Sequence, residues 1–247
     1  MDNPPANVFT DQGLDELCQV LEIVKEDPEM TTSRLLYISH FGPYFSLGGD
    51  RTQIVKWVGE QNWQALRAFA DKARRLLIAL ASMDALVVGV VNGSAQGGGF
   101  ETLLATDLQV VGKGVSLGLP EIKSGLVPGM GGMTYLKRQI GMAPLKRLLL
   151  TADQLSSEQA HTLGLVSHLA ENPFDTALVL ADQLGHLQTA VMMKKQLNEG
   201  VAESLTADIE YWLEYLSART NLIDVNRILN SEQVLTRQST GVPSPIT

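Results

Sequence analysis

The sequence predicts an α/β protein built on a mostly parallel sheet. Helical and strand-like segments alternate through the first half of the chain, the order expected when crossover helices link parallel strands. The clearest strand, Leu86-Val87-Val88-Gly89-Val90-Val91, is an apolar, β-branched run of strand length. Two such runs lead straight into glycine loops, and parallel strands end on one sheet edge, where α/β proteins place their ligands.

Taken in order, Asn3-Pro4-Pro5-Ala6-Asn7 reads as a turn or extended segment, and helical spacing runs from about Asp11 to Lys25, ending before Asp27-Pro28. Ser33–Ser39 reads as a buried strand leading into a loop from His40 to Asp50. A long helix is expected from about Asn62 to Ser82, then the Leu86–Val91 strand and a helix opening at Phe100. Asp107–Val111 and Val115–Leu117 read as strands around the Gly112-Lys113-Gly114 turn. From Met130 the chain is mainly helical. Ser156 and Gln159 are spaced for a capping box, Leu165–Leu169 reads as a short strand, helices begin near Phe174, Thr189 and Leu205, and 237–247 reads as a loose tail. The economical organisation is a core of residues 1–185 with a helical extension over 186–247.

Composition narrows the classes. With 45% hydrophobic and 19% charged residues, the 247-residue chain has the balance of a soluble globular enzyme rather than a disordered one. A net charge of −8 argues against a dominant nucleic-acid surface. Arg67, Lys72, Arg74 and Arg75 are expected on a solvated helix face. The single Cys18 excludes an intrachain disulfide and a paired-cysteine metal site, and its spacing with Leu14, Leu17 and Leu21 places it in the core. No apolar run reaches the roughly 18 residues of a membrane span. The polar, acidic start lacks the features of a secretory signal, so a cytoplasmic location is expected.

The segment richest in chemistry is Asn92-Gly93-Ser94-Ala95-Gln96-Gly97-Gly98-Gly99-Phe100-Glu101, followed by Glu121 in Leu119-Pro120-Glu121-Ile122. A strand feeding a glycine turn and then a helix leaves unpaired N–H groups and a positive dipole end facing outward. The second glycine loop, Phe45-Ser46-Leu47-Gly48-Gly49-Asp50, follows the Leu35–Ile38 strand. Together the loops suit an oxyanion hole with one N–H from each; singly, each is explained as a turn needing positive φ. Glu101 in a first helical turn and Glu121 after Pro120 are likewise common helix-start residues taken one at a time.

Competing motifs fail on spacing. Neither loop has the form GxxxxGK[ST] or GxGxxG. Gly129-Met130-Gly131-Gly132 leads into a helix and suits either a phosphate or a close backbone approach. The four histidines show no metal-ligand spacing, and no GxSxG nucleophile elbow is present. Trp57, Trp63 and Trp212 read as packing residues.

With these residues assembled, the chain resembles the crotonase superfamily, the enoyl-CoA hydratase/isomerase family. The match runs through Asn3–Phe9, Tyr44–Asp50, Val91–Glu101, Leu119–Ile122, Leu126–Gly132 and Ala160–Val166, in order, over about two thirds of the chain. The resemblance implies a crotonase-like spiral of ββα units, with the C-terminal helices serving trimerisation and pocket closure. It implies an acyl-CoA or acyl carrier protein thioester as substrate and a homotrimer or hexamer as assembly. CoA would enter only as part of the substrate, with no separate cofactor or metal and no nucleic-acid or membrane partner.

The family's oxyanion donors fall on Gly49 and Gly98 and its two hydratase carboxylates on Glu101 and Glu121. Ser46, Leu47, Gly48, Asp50, Arg51, Gly97 and Gly129 are expected to contact substrate. Arg51 falls either on the CoA phosphates or in a surface salt bridge. Each oxyanion donor is worth roughly 3–4 kcal/mol of barrier. Two carboxylates sharing one water should have raised pKa values, so that one holds a proton near neutral pH. Glu121 is assigned to acid/base work at C2 and Glu101 to the water.

The implied activity is a lyase that hydrates a 2-enoyl-CoA or dehydrates a 3-hydroxyacyl thioester. Alternatives are the dehydratase/thioesterase of cis-2-unsaturated fatty-acid signal synthesis, a polyketide-tailoring relative, or a non-catalytic or RNA-binding homologue. The chain departs from the family in starting at Met1-Asp2-Asn3, where a β-hairpin is usual, as expected of either a truncated start or a specialised variant. It has Met83-Asp84-Ala85 where Lys-Pro is frequent, and its C-terminal region lacks the aromatic, basic pattern of ordinary hydratases.

Overall fold

In the computed structural model, residues 1–27, 35–40 and 42–218 are described. Among these residues, eight strands form two four-stranded sheets in place of the single sheet that strand and helix alternation suggests. The first holds β1 (Leu35–Ile38), β3 (Leu86–Val91), β5 (Leu108–Gly112) and β8 (His168–Ala170), in that spatial order and all parallel. The second holds β2 (Tyr44–Ser46), β4 (Ser94–Gln96), β6 (Ser116–Gly118) and β7 (Gln154–Ser156), parallel except for the antiparallel β6–β7 pair. The chain alternates between sheets, β1 to β2, β3 to β4, β5 to β6, with helical segments after each pair. That alternation is the ββα spiral.

β6 falls on the expected Val115–Leu117 strand, whereas β2, β4 and β7 fall where the sequence reads as loop or helix start. Tyr44–Ser46, Ser94–Gln96 and Gln154–Ser156 have three residues each, too short for a periodic signal. β8 lies later than the expected Leu165–Leu169 strand. The first two residues of the expected Ser33–Ser39 strand and the 237–247 tail lie outside the described residues.

Helix α1 (Asp11–Glu26) is capped by the Thr10 hydroxyl, which accepts from the Gly13 amide at 3.0 Å. α2 (Arg51–Gly59), unanticipated by periodicity, is capped by Asp50, whose Oδ1 accepts from the Gln53 amide at 3.1 Å. α3 (Trp63–Ser82) buries Leu66, Phe69, Ala70, Ala73 and Leu77 along one stripe. β3 is buried along its length: Val87 and Val91 join the main core with α3, while Val88 and Val90 join a second cluster with Ala177 and Leu180. Two covered faces explain why β3 reads as continuously apolar.

After β4 comes α4 (Gly98–Leu104), and Glu121–Ser124 form a 3-10 turn rather than the expected helix. α5 (Gly132–Gln139), α6 (Met142–Thr151), α7 (Ser157–Thr162), α8 (Pro173–Gln183), α9 (Leu187–Leu197) and α10 (Val201–Ala218) complete the described chain. The Ser156–Gln159 capping box opens α7 as its spacing predicts. α10 begins four residues earlier than expected and packs against α3 and α5.

The basic residues of α3 are ion-paired. Arg67 meets Glu210 at 2.8 Å, Lys72 meets Asp11 at 2.8 Å and Asp15 at 2.6 Å, and Arg74 meets Asp71 at 3.1 Å. Cys18 is half-buried against the main core rather than inside it. Among the described residues, no helix is long and apolar enough to cross a membrane.

Candidate active site

The two glycine loops meet. β2 and β4 are neighbours in the second sheet, so the loops that leave them, Leu47–Asp50 and Gly97–Gly98, emerge side by side. Gly48 has φ +91, and a Cβ built on it would lie 2.7 Å from the Gly98 nitrogen; one built on Gly98 would lie 3.5 Å from the Gly49 nitrogen. Among the described residues neither the Gly49 nor the Gly98 amide has an acceptor. Gly98 opens α4, where no intrahelical acceptor exists for it. Phe9 fixes the first loop, donating to the Gly48 carbonyl at 2.8 Å and accepting from the Asp50 amide at 2.9 Å.

Both carboxylates reach the cavity beside these amides. Glu101 is 1% exposed, and its Oε1 accepts from the Met130 amide at 3.0 Å and the Gly132 amide at 2.7 Å. The Gly129–Gly132 turn therefore serves a close backbone approach, and its ligand is the chain's own carboxylate rather than a phosphate. Glu121 lies over Gly97, where an added Cβ would be 2.8 Å from its Oε1. Its buried Oε2 has no hydrogen-bond partner.

Burial raises the Glu101 pKa, and the Glu121 charge raises it further, against the lowering effect of the Gly132 and Met130 amides. Burial also raises Glu121, while its own amide and the Arg51 guanidinium pull it back. The pair is thus built to retain a proton above the ordinary carboxylate range.

Of the expected contact residues, Leu47, Gly49, Arg51, Gly97, Gly98 and Gly129 line the cavity with Glu101 and Glu121. Arg51 is 8% exposed, so it is not a surface residue; it acts on Glu121 from inside. Ser46, Gly48 and Asp50 stand behind the wall and shape it: the Ser46 hydroxyl accepts from the Gly48 amide at 3.0 Å, and Asp50 caps α2. The remaining wall is apolar, from Ile54, Phe69, Ala73, Leu126, Met130 and Trp212. No local motif marks these residues as site residues; only the fold shows that they enclose a cavity. Trp212, read as a packing residue, both packs on Gly129 and faces the site. No cluster of His, Cys, Asp and Glu among the described residues could hold a metal ion.

A two-sheet ββα spiral thus brings two amides, without acceptors among the described residues, and two buried glutamates into one cavity of an α/β protein. The chain belongs to the enoyl-CoA hydratase/isomerase family, whose model matches residues 1–227. It is 30% identical over 165 residues to a Bacillus subtilis (strain 168) protein named "Probable enoyl-CoA hydratase", covering 67% of this chain and 62% of that one. It is 34% identical over 171 residues to human "Enoyl-CoA hydratase domain-containing protein 2, mitochondrial", covering 69% of this chain and 55% of that one. The matched stretch thus spans less than two thirds of either relative. A crystal structure of an enoyl-CoA hydratase/isomerase from Mycobacterium paratuberculosis superimposes with a TM-score of 0.79 at 25% identity, over 91% of this chain and 89% of the other.

Proposed function

We propose that the protein interconverts 2-enoyl-CoA and 3-hydroxyacyl-CoA by adding or removing water. The observation that carries this reading is the shared cavity: two amides without acceptors stand beside two buried carboxyls with raised pKa values. The thioester oxygen accepts from Gly49 and Gly98, which stabilise the enolate as charge moves onto that oxygen.

In the dehydrating direction, Glu121 as carboxylate takes the C2 proton. The C2–H electrons form the enolate, whose collapse expels the C3 hydroxyl. Glu101, holding its proton, delivers it to that hydroxyl, which leaves as water. Arg51 favours the ionised form of Glu121, and the Glu121 charge favours the protonated form of Glu101, matching this division. Hydration runs through the same groups in reverse, with Glu101 activating water and Glu121 protonating C2. The carboxylate tethered by two amides is fixed in place for the water, and the carboxylate with an unpartnered Oε2 is open to the substrate.

The substrate carries CoA as its thioester portion, and no further cofactor takes part. A core of residues 1–185, a helical extension serving assembly and pocket closure, a homotrimer or hexamer and a cytoplasmic location complete the reading. Exposed Phe174, Val179, Met192, Met193 and Leu197 on α8 and α9 supply apolar surface for that assembly.

The test follows loss of the conjugated enoyl absorbance when the purified chain meets crotonyl-CoA. Hydration that disappears in Glu121→Gln supports the proposal. Absence of hydration with release of free acid from a 3-hydroxyacyl carrier protein assigns the dehydratase/thioesterase activity instead. Inertness toward both overturns the catalytic reading.

A further inference from the structure

The apolar side of the cavity ends close to its reacting centre. Beside one donor, a Cβ on Gly49 would lie 3.1 Å from Ile54 Cδ1 and 3.4 Å from Phe69 Cζ. Beside the other, a Cβ on Gly98 would lie 2.5 Å from the Met130 sulfur. The residue before Met130, Gly129, lies under the indole of Trp212: a Cβ there would be 2.8 Å from Cδ1 and Nε1. Consecutive Cα atoms are about 3.8 Å apart. The indole thus packs on the residue next to Met130, and both side chains line the cavity with Gly98.

This wall is fastened on both sides. On α10, Asp208 Oδ2 accepts from the Thr134 amide at 2.9 Å and the Thr134 hydroxyl at 2.7 Å. Glu210 takes two bonds from Arg67, at 2.8 and 3.0 Å. The Tyr215 hydroxyl donates to the Gly125 carbonyl at 2.9 Å. Trp212 lies between these anchors and is 7% exposed. A large planar side chain on a helix tied to α3, α5 and the Gly125 turn does not swing aside for a ligand without breaking contacts on three elements.

We infer that Trp212 sets the acyl-chain length, closing the pocket so that the site takes short acyl thioesters and turns away medium and long ones. The inference rests on the thioester reading proposed above. It makes a signed claim. An open apolar channel rewards every added methylene, so longer chains would bind more tightly. A fixed wall reverses that order, because the extra carbons must displace the indole or bend the chain back out of the pocket, and either costs binding energy that the shorter chain does not lose.

The test measures binding of saturated butyryl-CoA and octanoyl-CoA to the full chain by calorimetry, which requires no turnover. The wild type is expected to bind butyryl-CoA at least tenfold more tightly than octanoyl-CoA. Trp212→Ala, with helix content checked by circular dichroism, is expected to bind octanoyl-CoA at least as tightly as butyryl-CoA. Trp212→Phe, which keeps an aromatic core residue if the alanine variant does not fold, is expected to fall between them. Tighter wild-type binding of octanoyl-CoA, or an unchanged ratio in a folded Trp212 variant, overturns this inference alone. Binding of neither thioester removes the thioester reading and the inference with it.

Discussion

The Cα of Gly48 stands against the amide nitrogen of Gly98, so that a Cβ at position 48 would lie 2.7 Å from that nitrogen and 3.2 Å from the Gln96 carbonyl oxygen. The φ of +91 adds a second reason for glycine here, since L side chains rarely adopt it. Any side chain at this position pushes the two glycine loops apart or covers the Gly98 amide. Gly48→Ala is therefore expected to lower kcat toward crotonyl-CoA by about 10²–10³, the effect of losing one oxyanion donor. Steady-state kinetics beside a thermal melt check this: a melt close to wild type with kcat unchanged would remove the Gly98 amide from the mechanism.

Glu101→Gln and Glu121→Gln should each reduce turnover by about 10²–10⁴, the usual worth of a positioned acid or base. In Glu101→Gln the new side-chain amide oxygen can still accept from the Met130 and Gly132 amides, so the turn before α5 should hold its shape. Butyryl-CoA binding by both variants should stay within a few-fold of wild type. A variant that loses binding and activity together would assign its carboxylate to shape rather than to proton transfer.

The carboxyl pair also makes stability depend on pH. Burial and repulsion from Glu121 raise the Glu101 pKa, and burial raises that of Glu121. The folded protein then holds protons that the unfolded chain has released. This contribution is complete below the unfolded Glu pKa, roughly 4.3, and is lost as pH rises through the higher folded values. Urea unfolding at stepped pH should show wild-type stability declining over that window more steeply than the Glu101→Gln/Glu121→Gln double variant. Equal slopes would mean that both carboxyls titrate normally.

Away from the site, Lys194 anchors α9. Its Nζ donates to the carbonyls of Leu80 at 2.7 Å and Ala85 at 2.9 Å and pairs with Asp107 Oδ2 at 2.8 Å. Burial lowers the Lys194 pKa and raises that of Asp107 despite their mutual attraction, the mark of an ion pair whose desolvation is expensive. Lys194→Met should destabilise the fold by about 3–5 kcal/mol by leaving Asp107 charged and unpaired. Adding Asp107→Asn should recover part of that loss, as a double-mutant cycle in urea would measure.

The long elements were legible because they repeat a period. α1, α3 and β3 bury regular stripes or continuous runs, and Ser156 with Gln159 announced the start of α7 by its capping chemistry. Of the three-residue strands of the second sheet, β6 was legible beside the Gly112-Lys113-Gly114 turn, but β2 and β4 were not. Tyr44–Ser46 and Ser94–Gln96 exist because partners from elsewhere complete their hydrogen bonds, a condition no local window contains.

The sequence by itself determined the alternating α/β order, the two glycine loops and the presence of Glu101 and Glu121, because backbone permissiveness and side-chain chemistry are local properties. Only the tertiary structure decided that the second sheet brings the Gly49 and Gly98 amides together. It also turned the Met130 and Gly132 amides onto Glu101, placed Arg51 inside the cavity and carried Trp212 back from α10 to wall it. Each of those placements joins residues far apart in the chain through packing, and packing depends on shape in three dimensions rather than on spacing along one.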